Sequence, residues 1–404
     1  MKDIRNIILK NRINAKIFSS GKEVYIVGGY LRDILTGKES RDIDYIVRGD
    51  IREFALELLV EESGKAELKK LLDSATIVEL KKEHLIRIVL KDGSTLDFTE
   101  LKGDIKDNLT KRDFTMNALA WSPLTGLIDM LNGVKDIKSH IIRAISIDNF
   151  KSDPLRLLRI YRFASELGWD ADIRTRKAAR ELKKDIKKSA DERITVEFFK
   201  LLNSEHYQNA LKMAFADGLL EHFLSISHKK LSKNIKILPM LESRIKKMPS
   251  PYKNTLREPL SQELTLTGLL RLEQAVKGSG LNENRLSLSR LIRERLAAVH
   301  KLLAESEKHN LLAGDNAFDT FVNAKDAIVD FLILSGNTRL LNQSERFKKI
   351  WKKSFLTSEK IMAVTGLKQG VALGKLIYGL KKMQFECKLK SKKDAKKWLK
   401  NTYQ

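Results

Sequence analysis

Val24–Val47 reads VYIVGGYLRDILTGKESRDIDYIV. Its first four residues, Val24-Tyr25-Ile26-Val27, are β-branched or aromatic and predict a short buried strand. Gly28-Gly29 then permits a tight turn and leaves its amide N–H groups uncovered by side chains. Tyr30–Leu35 predicts one to two helical turns, so those amides sit at a helix N-terminus, where phosphate is favoured. After the loop Thr36–Arg41, Asp42-Ile43-Asp44 leads into a second strand, Tyr45-Ile46-Val47. Residues i and i+2 of a strand share a face, so Asp42 and Asp44 project side by side, ~7 Å apart. Two parallel carboxylates beside a phosphate-binding turn suit a triphosphate carrying Mg²⁺. A lone Gly-Gly is an ordinary turn and a lone Asp-x-Asp an ordinary loop; the weight lies in their conjunction.

The bulk properties narrow the class. A chain of 404 residues holds two to four domains. Its hydrophobic content of 42% supports folded cores. The formal net charge of +24 calls for a polyanionic partner, and nucleic acid fits best. A single cysteine, Cys387, excludes an intrachain disulfide and a cysteine-rich metal site. Residues 1–16 are charged throughout and carry no signal-peptide core, and no apolar run approaches the ~18 residues of a membrane span. A cytoplasmic protein with no membrane partner is expected.

Further along, Ile51–Glu62 predicts a helix, and Thr76–Leu80, Leu85–Leu90 and Ser94–Phe98 predict strands, the last two joined by a hairpin at Asp92-Gly93. Polymerase sites with two metals commonly take a third carboxylate from a neighbouring strand. Asp97 is the candidate, with Glu100 as alternative. Lys111–Ala120, KRDFTMNALA, offers a basic pair for phosphates and Asp113 and Asn117 at i,i+4, one face of a helical turn, for ribose hydroxyls. Trp121–Met130 predicts a hairpin turning at Pro123–Gly126.

Strand signals fade after Ile137. Asp153-Pro154 predicts a helix start, with Asp as N-cap, and Gly168 its end. That helix is apolar on most sides, yet Arg156, Arg159 and Arg162 recur every third residue. Such a stripe requires a buried anion or acidic neighbours. Asp191-Glu192-Arg193 opens another helix, with Val196, Phe199 and Leu202 as its apolar face. Lys247–Pro259 is polar and reads as a linker or long loop. Residues 346–404 hold 17 lysines and arginines against three acids, a surplus of +14, interleaved with Trp351, Phe355, Tyr378, Phe385, Trp398 and Tyr403. Binding of a phosphate backbone without base readout is the expected use.

The pattern Gly28-Gly29-x-x-Arg32-Asp33, then Asp42-x-Asp44, resembles the first motif of the class II tRNA nucleotidyltransferase and bacterial poly(A) polymerase family. KRDFTMNA is similar to that family's RRDFTxNA, and Ser152-Asp153-Pro154-Leu155-Arg156 to its nucleotide-selecting motif. The resemblance implies an α+β chain: a polymerase-beta-like nucleotidyltransferase head with a mixed sheet at 1–136, then a helical neck at 137–220, body at 221–345 and basic tail at 346–404. It implies two Mg²⁺ on Asp42, Asp44 and Asp97, and a triphosphate on Gly28, Gly29 and Arg32. Lys111, Arg112, Asp113 and Asn117 would contact phosphate and ribose. Asp153 and Arg156 would select C or A by base-edge hydrogen bonds, with Arg159 and Arg162 on the same nucleotide-binding helix and Glu192 and Arg193 supporting it. The implied activity is template-independent addition of C and A to the 3′ end of tRNA from CTP and ATP, with the acceptor arm held by the basic body and tail.

Three departures matter. Asn108 stands where the family often has Asp, and Ser152 replaces an acid. Only Lys102–Thr110 separates the last head strand from KRDFTMNA, where the family usually carries a flexible loop associated with the switch from C to A. That shortness puts the terminal A in doubt and raises a CC-adding reading beside full CCA-end synthesis. A poly(A) polymerase, an A-adding enzyme and a non-catalytic RNA-binding relative are the alternatives. A small-molecule nucleotidyltransferase would need neither KRDFTMNA nor the basic tail. No His-Asp dipeptide marks an added phosphohydrolase module.

Overall fold

The computed structural model describes residues 4–60, 75–80, 84–261, 263–279, 285–313 and 316–403. The chain divides into two compact units, Met1–Phe223 and Leu224–Gln404.

The first unit is built on a seven-stranded sheet: β1 (Val24–Val27), β2 (Asp42–Val47), β3 (Thr76–Leu80), β4 (Leu85–Val89), β5 (Thr95–Glu100), β6 (Ala120–Ser122) and β7 (Gly126–Ile128). Their order is β3-β4-β5-β2-β1-β6-β7. Only β2 and β5 run parallel; the other neighbours are antiparallel. All four residues of β1 are buried, as a central strand covered on both faces requires. β2 begins exposed, buried, exposed, which leaves Asp42 and Asp44 on an open face and Ile43 in the core. Tyr25, Val27 and Ile46 pack with Ile105, Leu109, Ala118 and Ala120 beneath the sheet. Both predicted hairpins form, at Asp92-Gly93 and Pro123–Gly126.

Ahead of the sheet the chain makes two helices, Ile4–Lys10 and Arg12–Phe18. Asn11 breaks the run: its Oδ1 accepts from the amides of Ile13 and Asn14 and starts the second helix. The helix after β2 spans Ile51–Val60, and residues 61–62 of the expected element lie outside the described residues. After β7 the unit is helical apart from one short parallel pairing, Ile141–Ile142 with Asp170–Ala171.

The predicted start at Asp153 is displaced. The helix runs Arg156–Leu167, and Asp153 closes the preceding helix, Ile147–Ser152, in an extended conformation. Its carboxylate meets Arg193 instead of capping. Gly168 ends the helix in the left-handed region as expected. Helix Asp191–Asn203 buries Phe199 and Leu202 but exposes Val196.

The second unit is helical with one small hairpin, Pro259–Ser261 against Leu264–Thr265. The stretch read as a linker contains a helix, Ser250–Arg257, with Pro251 in its first turn and Tyr252 and Leu256 buried. The tail aromatics are largely structural. Phe347 stacks on Trp351 at 5.5 Å, Tyr378 meets Phe318 at 5.2 Å and Phe385 meets Phe321 at 5.1 Å. Phe355 and Trp398 pack on a core of Leu356, Ile361, Leu380 and Leu399. Only Tyr403 of the six is exposed without such packing, whereas the lysines of helix Lys392–Tyr403 face solvent. Among the described residues no helix is long and apolar enough to cross a membrane.

Candidate active site

Gly28 adopts φ +77°, and an added Cβ would lie 2.8 Å from Arg112 Nη1 and 3.3 Å from Asp44 Oδ2. Only glycine meets both constraints without strain. Helix Gly29–Thr36 begins at once, so the turn, Asp44 and Arg112 form one corner. Parallel pairing sets Asp42 opposite Thr95 and Asp44 opposite Asp97, all on one face. Thr95 Oγ1 donates to Asp42 Oδ1 at 2.6 Å. Glu100 pairs with Val47, three residues beyond Asp97, and so belongs to the opposite face. Of the two sequence candidates, Asp97 is therefore the one aligned with Asp44. Yet Asp97 accepts a two-bond fork from Arg87, at 2.7 and 2.6 Å. Among the described residues no three His, Cys, Asp or Glu side chains converge on one metal position.

Asp44 is an exposed residue on the open face of the sheet. The surrounding protein still strips part of its hydration. Together with Asp97 and Asp42 this raises its pKa above the ordinary value, against the opposing pull of Arg112. Burial likewise pushes Arg112 down, against Asp44 and Asp113. Arg112 Nη1 donates to the Asn117 carbonyl at 3.4 Å, while its Nε is buried without a hydrogen-bond partner. Oxygen donors with an excess of negative charge suit a hard divalent cation, and Asp42 and Asp44 fit one.

Beside this corner lies a polar network. Asn117 Oδ1 accepts from Arg32 Nη1 at 2.9 Å, and its Nδ2 donates to Asp113 Oδ1 at 3.0 Å. Asp113 Oδ2 pairs with Arg159 at 2.8 Å. Burial alone would raise the Asp113 pKa, but Arg159, Asn117 and the Phe114 amide outweigh it and hold the carboxyl below its ordinary value. Arg159 continues to Glu197 at 3.1 Å, and Arg162 pairs with Glu197 at 2.8 Å and Glu166 at 2.7 Å. The Phe163 ring gathers the guanidiniums of Arg32, Arg159 and Arg162 over it, 5.3, 5.1 and 3.7 Å from its centre.

These contacts show what else the expected site residues touch. Arg32 binds Asn117 and its neighbour Asp33, so it joins helix Gly29–Thr36 to KRDFTMNA. Asp113 and Asn117 are buried and bond to each other, which orients them but turns them from solvent. The arginine stripe is answered by acids: Arg159 and Arg162 are engaged within the protein. Lys111 is exposed at the end of helix Ile105–Thr110 and remains available to phosphate. Arg156 donates to the Asn149 carbonyl at 3.1 Å and lies 3.9 Å from Asp153. Arg193 donates to Asp153 at 3.0 and 3.3 Å. Both Asp153 and Arg156 are partly exposed.

Asn149, Glu197 and Arg87 escaped the sequence reading. Asn149 Nδ2 donates to the carbonyls of Thr110 and Arg112 at 2.8 and 2.7 Å, tying the Asp153 segment to KRDFTMNA. Glu197 had a signal: a lone acid in the apolar run Ile194–Phe199, matching the unbalanced arginine stripe.

Comparison with known proteins agrees with this layout. Residues 24–143 match the Poly A polymerase head domain, and residues 170–231 match the "Probable RNA and SrmB- binding site of polymerase A". A CC-adding tRNA nucleotidyltransferase of Synechocystis sp. is 34% identical over 50% of this chain and 46% of its own length. A CC-adding tRNA nucleotidyltransferase of Geobacter sulfurreducens is 27% identical over 94% of this chain and 92% of its own. With several of these relatives, Synechocystis included, the match spans about half the relative's length. The fold is that of the Thermotoga maritima CCA-adding enzyme solved with tRNA, at TM-score 0.68 and 20% identity, covering 100% of this chain and 96% of that one.

Proposed function

We propose that this chain is a member of the class II tRNA nucleotidyltransferase and bacterial poly(A) polymerase family and that it extends the 3′ end of tRNA with C, A or both, without a template, from CTP or ATP with release of pyrophosphate. The carrying observation is the corner at Gly28, where the glycine turn, Asp44 and Arg112 meet within contact distance and Asp42 lies two residues away on the same face of β2.

In this reading the triphosphate lies along the Gly28-Gly29 turn and the N-terminus of helix Gly29–Thr36, with Arg112 and Lys111 as cations. Asp42 and Asp44 hold Mg²⁺. Bound there, Mg²⁺ lowers the pKa of the attacking 3′-hydroxyl and neutralises the departing pyrophosphate. Asn117 and Asp113 fix the helix carrying Arg159, and Asn149 fixes the segment carrying Asp153. Asp153 accepts from the exocyclic amine shared by C and A, and Arg156 donates to the ring edge. The exposed lysines of the tail hold the tRNA backbone.

A CC product is favoured over full CCA. The connection ahead of KRDFTMNA is a short helix, Ile105–Thr110, capped by Asp104 and anchored by buried Ile105 and Leu109. It has no loop to rearrange between C and A. Two of the relatives are named CC-adding enzymes.

The test is incorporation of labelled CTP or ATP, offered separately with Mg²⁺, into tRNAs ending before, at and after the first C of the CCA end. C on the first two substrates without A on a CC end is the expected result. A on the CC end alone, or long A tracts on any RNA, would replace it with the A-adding or poly(A) reading. No incorporation would overturn the enzymatic reading. Asp42→Ala abolishes transfer, and Asp153→Ala relaxes C/A against U/G discrimination about tenfold, the worth of one lost base-edge hydrogen bond.

A further inference from the structure

Arg87 lies on β4 directly across from Asp97 on β5, and Asp97 lies directly across from Asp44 on β2. The three side chains form a row on the face that also carries Asp42. Asp97 is buried and the Arg87 side chain is 39% exposed, so the guanidinium caps the row from the solvent side. The fork is geometrically complete: Nε to Oδ1 at 2.7 Å and Nη2 to Oδ2 at 2.6 Å. Both carboxylate oxygens face the arginine, as a cation would require of them. On the other flank of Asp44 stands Arg112. Among the described residues Asp42 and Asp44 have no such fork; the Asp42 partner is the Thr95 hydroxyl.

We propose that Arg87 is the resident counter-ion of the cation site: it withholds Asp97 from the metal and sets the divalent affinity of the Asp42–Asp44 pair. This rests on the reading of Asp42 and Asp44 as cation ligands. A site of two carboxylates beside a fixed positive charge binds Mg²⁺ weakly in the empty protein and needs the oxygens of a nucleoside triphosphate to complete the coordination. Asp42 and Asp44 would then hold the cation only together with the triphosphate oxygens. Freeing Asp97 would create a third carboxylate ligand and a metal site occupied without nucleotide.

Mn²⁺ alone, titrated into the full-length protein and followed by the spin-resonance signal of free Mn²⁺, tests this apart from activity. Arg87→Met keeps the aliphatic stem and is expected to bind Mn²⁺ about tenfold more tightly than the parent. Asp97→Asn alone stays within about twofold of the parent, and the double variant loses most of the gain. Arg87→Lys, which keeps the charge without the fork, falls between. Unchanged or weaker binding in Arg87→Met, or a tenfold weakening by Asp97→Asn alone, overturns the proposal; the second arm decides it even where Arg87→Met does not fold. Insensitivity of Mn²⁺ binding to Asp44→Asn would instead overturn the underlying assignment of the ligands.

Discussion

Gly28 concentrates the demands on the head into one residue. Its φ of +77° and the 2.8 Å approach of Arg112 exclude a side chain twice over. Gly28→Ala is expected to destabilise the first unit by roughly 1–2 kcal/mol, measured by urea unfolding, from left-handed strain and displacement of Arg112. Transfer activity falls at least tenfold, because the displaced guanidinium sits against Asp44. Full activity with full stability would show that the turn tolerates a Cβ and that its closeness to Asp44 is incidental. At this scale the sequence was most informative where chemistry is local. Gly28, Asp42 and Asp44 lie within one strand–turn–helix–strand unit, so spacing alone set them on one face. The partners of Arg32 and Arg159, Asn117 and Glu197, were not legible because they lie 85 and 38 residues away.

Between elements, buried charge explains the pairings. Helix Arg156–Leu167 presents Arg159 and Arg162 to Glu197 on helix Asp191–Asn203. Glu197→Ala leaves two largely buried guanidiniums each short of a partner and is expected to cost about 3 kcal/mol. Glu166→Ala, which removes the more exposed partner of Arg162, costs about 1 kcal/mol or less. Equal losses in the two variants, read by chemical denaturation, would contradict this ranking. In the second unit, Glu273 on helix Leu266–Ala275 is fully buried beside Asp330, which Arg295 binds through both carboxylate oxygens. His300 reaches the Glu273 carbonyl at 3.1 Å, and Lys348, Asp326 and Lys277 lie farther out. Neither Glu273 carboxyl oxygen meets a donor, so only the protonated acid can bond, by donating to Asp330. Burial, with Asp330, pushes the Glu273 pKa well above its ordinary 4.5. Its stabilisation is therefore complete below pH ~4.5 and is lost as pH rises through the folded-state value. Glu273→Gln, a permanent donor, should remove that decline and raise the melting temperature at alkaline pH by about 2–4 °C per kcal/mol recovered. A parallel pH dependence in parent and variant would place the proton elsewhere. Neither cluster was visible in the sequence, where Glu273 and Asp330 are isolated acids in apolar helices. The tail aromatics misled for the same reason: composition cannot tell a ring that binds RNA from one that packs on Phe318.

For the molecule as a whole, the surplus of +24 sets the terms of the proposed RNA binding. Each phosphate neutralised contributes about −0.7 to −0.9 to the slope of log K against log salt. Lys392, Lys393, Lys396 and Lys397 face solvent while Ala395 and Leu399 of the same helix are buried. Replacing the four by Gln should flatten the measured slope for tRNA by about 3 and leave C/A selection intact. An unchanged slope would remove this helix from the RNA-binding surface. Fold class and the order of head and helical parts were legible because each change of hydrophobic period is itself local.

The parallel pairing of β2 with β5 has a further consequence, for folding. Asp42 and Thr95, like Asp44 and Asp97, meet across 53 residues of chain. The β3–β4 and β4–β5 hairpins close short loops and form early, whereas the β2–β5 ladder must close a long one. The carboxylate row is therefore assembled late, by a long-range pairing that only the β1–β6 ladder exceeds in span. A chain emerging from the ribosome holds its glycine turn and both aspartates of β2 well before it holds a site, and chemistry begins only when residue 100 has been made and docked.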